Sequence, residues 1–290
     1  MHPNTFYRTL FDPAKRDEVF VIMSFADEFD ARWRRIIEPV IREDLGLKPN
    51  RVDYNRSGEN VIHDILDGIT HSHLVLVEIT STEMMDKNHR YWPQRNGNVM
   101  WELGVAHVMR MPDEVILIRS DRDRNIFDLT QLRAFDCDAE DFTASRDFLK
   151  TLMQDRLQSI DQAKSDHVKM CAQTLDYPSW NLLLKACFSG ELTAPVIRTT
   201  GDALRGISIL PAIQRLLDMR VISAVFPRAT PEILRMPIDT PAEALLNYKI
   251  TSLGHAIVKH VAEVMGVGTP EMQRELDRLD AREPDSPAAS

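Results

Sequence analysis

The residues of this chain best suited to chemistry are carboxylates set beside apolar runs. The most informative segment is Asn96-Gly97-Asn98-Val99-Met100-Trp101-Glu102-Leu103-Gly104-Val105-Ala106-His107. Asn96-Gly97 makes a turn, Asn98 reads as a helix N-cap, and Glu102 falls just inside the helix, between apolar Trp101 and Leu103. The helix macrodipole alone would also favour a glutamate in those first turns. Glu78 ends an apolar strand, and Asp53 lies in a brief strand candidate, Arg51-Val52-Asp53-Tyr54. Two carboxylates converging on one cleft suit a reaction with an oxocarbenium-like transition state. One attacks or stabilises the sugar C1, and the other positions the sugar hydroxyls or handles protons.

The elements around these residues alternate. Val19-Phe20-Val21-Ile22-Met23 is a short apolar run, as expected of a strand buried on both faces. Asp27 to Leu45 carries Phe29, Trp33, Ile36, Ile37, Val40 and Ile41 at helical spacing and stops at Gly46. A second amphipathic segment opens at Ser57-Gly58-Glu59-Asn60, and His73 to Ile79 is a second fully apolar strand. A long polar stretch, Thr80 to Asn96, precedes the helix of Glu102. Val115-Ile116-Leu117-Ile118 and the shorter Phe135-Asp136-Cys137 complete the set. This alternation predicts an α/β fold, a doubly wound parallel five-stranded sheet in the flavodoxin-like order 2-1-3-4-5. Ligands of such sheets bind beyond the carboxyl ends of the strands, at the switch point. Ser24, Phe25, Asp53, Tyr54, Glu78, Thr80 and the segment Asn96 to Glu102 are the residues expected there.

Several chemistries lack their motifs. There is no GxxxxGK[ST] and no GxGxxG after the first strand. That strand ends in Ser24-Phe25 instead of paired carboxylates, which argues against a phospho-acceptor receiver. His63, His71 and His73 read as solvated or capping histidines at a helix and its exit. Ser57-Gly58 at a helix start offers backbone N–H groups to a phosphate, with Arg56 and Arg133 as alternative phosphate partners and surface charge as their plain reading.

Of the 290 residues, 43% are hydrophobic and 27% charged, ordinary for a soluble globular protein. The formal net charge of -9 argues against electrostatic wrapping of nucleic acid. Three separated cysteines form no CxxC unit, so neither a disulfide framework nor a zinc ribbon is expected, and a cytoplasmic setting is the simplest reading. Charges interrupt the N-terminus where a signal peptide would be apolar, and no run approaches the ~20 residues of a membrane span.

Phe20-Val21-Ile22-Met23-Ser24-Phe25, then Ser72-His73-Leu74-Val75-Leu76-Val77-Glu78-Ile79-Thr80, then Asn98 to His107 together resemble bacterial TIR-like domains and the related nucleoside 2-deoxyribosyltransferase-like superfamily. Phe127-Asp128-Leu129-Thr130-Gln131-Leu132-Arg133 is similar to the Asp-Leu and Arg segment of the same group. The resemblance covers residues 18–138. It implies that Glu102 is the catalytic carboxylate, acting on the N-glycosidic bond of a nucleoside, nucleotide or NAD. Asp53 and Glu78 would be sugar or proton-transfer partners, while Ser24 and Phe25 line the pocket. No metal or cofactor is implied, because NAD would be consumed as substrate. Two departures stand out. Glu78 occupies a position where aspartate is commoner, and the Thr80–Arg95 loop is longer than usual.

Beyond residue 140 a helical connector is expected over 141–192, with a break at Tyr177-Pro178-Ser179. A winged-helix-like domain is expected over 193–266, and a flexible charged tail over 267–290. Tyr248-Lys249-Ile250-Thr251-Ser252-Leu253-Gly254-His255 resembles the wing strand and last helix of winged-helix domains. Basic residues near its recognition helix are few (Arg205, Arg215 and Arg220), so a protein partner or homo-oligomer is expected ahead of DNA. By resemblance, this half regulates or oligomerises the catalytic half, as in prokaryotic antiviral defence. The rival reading is a non-catalytic nucleotide-sensing protein that signals through the winged helix to DNA or a protein.

Overall fold

The computed structural model describes residues 15–52, 61–85, 91–121, 133–138, 140–189, 192–193, 200–225, 247–266 and 274. The chain divides into two compact units, Met1–Lys164 and Ser165–Ser290.

In the first unit the apolar runs form strands β1 (Arg16–Ile22), β3 (Ser72–Glu78) and β6 (Val115–Arg119) at the centre of one sheet. Short β2 (Lys48–Asn50) and β7 (Ala134–Asp136) occupy its edges. The order is β2-β1-β3-β6-β7, and every pairing is parallel. This is the 2-1-3-4-5 order expected of a flavodoxin-like sheet. The second strand lies upstream of Arg51-Val52-Asp53-Tyr54, where it was expected. Pro49 is tolerated there because an edge strand pairs on one side only.

Side chains alternate across the sheet. Val19, Val21, Leu74, Leu76, Ile116 and Ile118 face one layer, and Phe20, Ile22, Val75, Val77, Val115 and Leu117 face the other. The first layer contains helix α1 (residues 27–44), with Ile36, Ile37, Val40 and Ile41 fully buried. Its turns pass through 3-10, α and π geometry, with Pro39 between the two π segments, Trp33–Ile37 and Val40–Asp44. Proline supplies no N–H for an i→i−4 bond, so irregular turns at this point are expected. Gly46 ends the helix at φ 67°. The second layer contains α2 (Val61–His71) and α3 (Gly97–Met109). At Gly68 the sheet approaches so closely that a Cβ would lie 2.3 Å from the Phe20 ring.

The stretch from Thr80 to Asn96, read from sequence as a polar loop, contains an antiparallel hairpin, β4 (Thr82–Met85) and β5 (Tyr91–Gln94). Pro93 and the short alternation hid it. Helix α4 (Phe142–Thr174) places Leu149, Met153 and Ile160 in the same core layer as α1. The packing of the first unit therefore runs past the expected boundary near residue 140.

In the second unit, the helical break falls at Leu175-Asp176, where the Asp176 side chain accepts the Ser179 N–H at 3.0 Å and opens α5 (Tyr177–Ser189). Tyr177-Pro178-Ser179 is thus a helix start, the position in which proline is welcome. There follow β8 (Leu192–Thr193), α6 (Thr200–Asp218), β9 (Ile222–Val225), β10 (Asn247–Ile250) and α7 (Ser252–Met265). The three strands form an antiparallel sheet in the order β8-β10-β9.

Candidate active site

The switch point is where chains leaving adjacent strands turn to opposite layers. After β1 the chain enters α1 on one face, and after β3 it reaches α3 on the other. The crevice between them is a pocket of about 280 Å³. It is lined by apolar Phe20, Met23, Val52, Ile65 and Val99 and by polar Ser24, Asn96, Asn98 and Glu102, with Phe25 alongside.

The helix that carries Glu102 is fixed by Asn96. This residue, not Asn98, is the N-cap: its side-chain oxygen accepts the N–H groups of Asn98 and Val99 at 2.9 and 3.3 Å. Its amide also donates to Ser24 Oγ at 3.5 Å, joining the exit of β1 to the start of α3. Asn98 is left to line the pocket. Asn96→Ala should lower unfolding stability by about 1 kcal/mol, read from urea midpoints, since one cap is lost.

Glu102 is 9% exposed and lines the pocket, and no cation or hydrogen-bond donor among the described residues is shown holding its carboxylate. Desolvation alone pushes its pKa up to about 7. The carboxyl therefore changes charge near neutral pH, the condition in which it is most useful for acid, base or electrostatic chemistry.

Glu78 is placed differently. It shares the parity of Leu74 and Leu76, so it faces the α1 layer and does not line the Glu102 pocket. Arg32 of α1 donates to its Oε1 at 2.6 Å, and the Thr80 N–H does so at 3.1 Å, with the Thr80 hydroxyl also bonded to it. Arg32 and the Ser120 N–H both donate to Thr80 Oγ1 at 2.9 Å. Burial pushes the Glu78 carboxyl upward against the opposing pull of Arg32. Next to this cluster, Asp121 pairs with Arg95 and Arg119 and accepts the Ser81 N–H at 2.8 Å. The two glutamates thus end up on opposite faces of the sheet, and Glu78 with Thr80 ties β3, β6 and α1 together at the carboxyl end.

Of the other expected residues, Trp101 is half exposed and lies outside the pocket lining, and Arg133 is exposed with its guanidinium 4.8 Å from the Phe135 ring centroid. Asp53, Tyr54, Ser57 and Gly58 lie outside the described residues, as does Arg56; Val52, just before Asp53, does line the pocket. Sequence reasoning missed Arg32, Arg51, Arg95 and Asp121. Arg51 stacks 4.0 Å from the Phe25 ring centroid and donates to the Ser24 carbonyl at 3.1 Å. The available signal was an arginine on the apolar face of α1 and a charged run directly after β6. Among the described residues no group of three His, Cys, Asp or Glu side chains is placed to hold a metal ion, and no helix is long and apolar enough to cross a membrane.

No protein-family model matches the sequence, and no curated protein matches it.

Proposed function

We propose that this protein cleaves the N-glycosidic bond of NAD or of a nucleotide or nucleoside, with Glu102 as the catalytic residue. One observation carries the reading. A carboxyl with no charge partner among the described residues lies buried at the switch-point crevice, its pKa raised to about 7 by desolvation. Folding gains nothing from such a group, which is how functional side chains are commonly recognised.

In the proposed reaction the C1–N bond breaks and its electron pair leaves with the base. The positive charge that develops on the sugar faces the ionised Glu102, as nucleophile or as electrostatic stabiliser. Water or a second nucleophile then takes C1 and gives up its proton, to the departed base where that base leaves as an anion, or to solvent where neutral nicotinamide leaves. Burial of the carboxylate, 9% exposed, strengthens its attraction for the developing cation. Incubation with NAD and with each nucleoside and nucleoside monophosphate, followed by chromatography for free base, tests this reading. Base release supports it. Binding without release would mark a nucleotide-sensing protein instead.

For the second unit we propose a winged-helix-like fold used for self-association. The Tyr248, Thr251 and Gly254 pattern has a packing reason at each position. Tyr248 is 5% exposed, Thr251 Oγ1 caps the Gly254 N–H at 3.2 Å, and a Cβ on Gly254 would lie 2.5 Å from the Val221 carbonyl oxygen. Arg215, one of the few basic residues near the recognition helix, is paired with Asp176. Ala212, Ile213, Leu216, Ile257 and Val258 are spent in the local core, whereas Met170, Tyr177, Leu210, Val264 and Met265 stay exposed. Light scattering on the full chain should give a mass above the monomer. A monomer that binds duplex DNA tightly and in a salt-sensitive way would reverse the assignment.

A further inference from the structure

The β4–β5 hairpin forms a second hollow that the glycosidic reading does not use. Tyr91 and Trp92, with Ser81, Thr82, Glu83 and Pro93, line about 130 Å³. Engineered cavities of ~150 Å³ hold benzene, so the space suits one planar ring. Tyr91 and Trp92 are 64% and 43% exposed. Trp101, half exposed, adds a third aromatic ring on the same chain segment that leaves β3. An exposed Tyr or Trp ring offers a flat face on which a planar heterocycle can stack.

The root of this hairpin is held firmly. The Ser81 N–H donates to Asp121 at 2.8 Å, Arg95 donates to the Ile79 carbonyl, and Arg95 also pairs with Asp121. A platform anchored in this way loses little freedom on binding. The chain from Trp92 to Asn96 can span at most about 14 Å, so the hollow lies near the helix that carries Glu102. Glu83 adds an exposed carboxylate that can accept from an amino group on the ring edge.

We propose that this hairpin is a binding subsite for an amino-bearing planar heterocycle of the nucleobase class, separate from the Glu102 pocket. The ring could belong to the far end of a two-ring substrate or to a free nucleoside acting as effector. Only the first source rests on the glycosidic reading.

Calorimetric titration of adenosine into the full chain carrying Glu102→Gln reads binding without turnover. Tyr91→Ala with Trp92→Ala should weaken adenosine roughly 10-fold or more, as loss of base stacking does, and Trp92→Phe should restore most of the affinity. Both residues are exposed, so the fold should survive. With Glu102 intact, a substrate-end role predicts that the double variant raises KM for NAD, with kcat unchanged and nicotinamide mononucleotide unaffected. An effector role predicts unchanged KM for NAD and an adenosine-dependent rate that the double variant loses. Unchanged adenosine affinity in the double variant would overturn the subsite. Loss of that affinity in a protein that never releases base would keep the subsite and remove the glycosidic reading.

Discussion

Glu102→Gln is expected to abolish base release and, above neutral pH, to make the fold more stable. Charge stabilisation in a site shielded from water is commonly worth a factor of ~100–1,000 in rate per group, so activity should fall at least that far. The stability effect has the opposite sign. Because the folded-state pKa is raised to about 7 from 4.5, folding favours the protonated carboxyl. The cost of ionising the buried group is absent below pH 4.5, grows as pH rises from there, and is complete above about 7. Wild type thus carries a penalty of about 3 kcal/mol at pH 8, which glutamine, always neutral, avoids. Urea unfolding at pH 4.5 and pH 8 should show equal midpoints at the lower pH and a more stable variant at the higher. A variant that is equally active, or destabilised at pH 8, would remove Glu102 from its assigned place.

Ending the chain at Asp138 is expected to unfold the sheet, whereas ending it at Lys164 should leave a cooperative unit. Every sheet strand of the first unit precedes Asp138, but α4 supplies Leu149 and Met153, both fully buried, and Ile160, 5% exposed. Losing three such side chains costs about 5–9 kcal/mol in apolar burial, comparable with the whole stability of ~5–15 kcal/mol of a typical domain. Arg146 also pairs with Glu43 and Asp44 of α1, so the helix is tied by charge as well. Circular dichroism and urea titration of the two fragments distinguish the cases. Cooperative unfolding of the shorter one would show that α4 is dispensable to the core.

The sheet was legible because its inner strands are covered on both faces. Val19 to Ile22, Leu74 to Val77 and Val115 to Ile118 are unbroken apolar runs, and nothing else of that length and composition suits those positions. The edge strand β2 was placed a few residues late, since Lys48-Pro49-Asn50 has no apolar run and is recognisable only through its pairing with β1. The placement of Glu102 in a crevice at the carboxyl end of the sheet followed from the topology. The partner assigned to Glu102 did not, although the period-2 rule already put Glu78 on the face of Leu74 and Leu76. What no local pattern revealed was the reach of Arg32 from α1 to Glu78, a contact across 46 residues of sequence. The contribution of α4 to the core had no local signal either: the helix is polar on average, and only its few inward residues belong to the core.

In the proposed reaction, ionised Glu102 drives departure of the base. The most direct test of this role is kcat/KM for base release from NAD or the best nucleotide substrate, measured from pH 5 to pH 9. This quantity follows the ionisation of the free enzyme. It should climb through a single transition near the pKa of about 7 that burial gives Glu102, then level off, and Glu102→Gln should erase the transition together with the activity. Absence of base release at every pH, or a wild-type profile that persists in Glu102→Gln, would show that Glu102 does not drive the reaction.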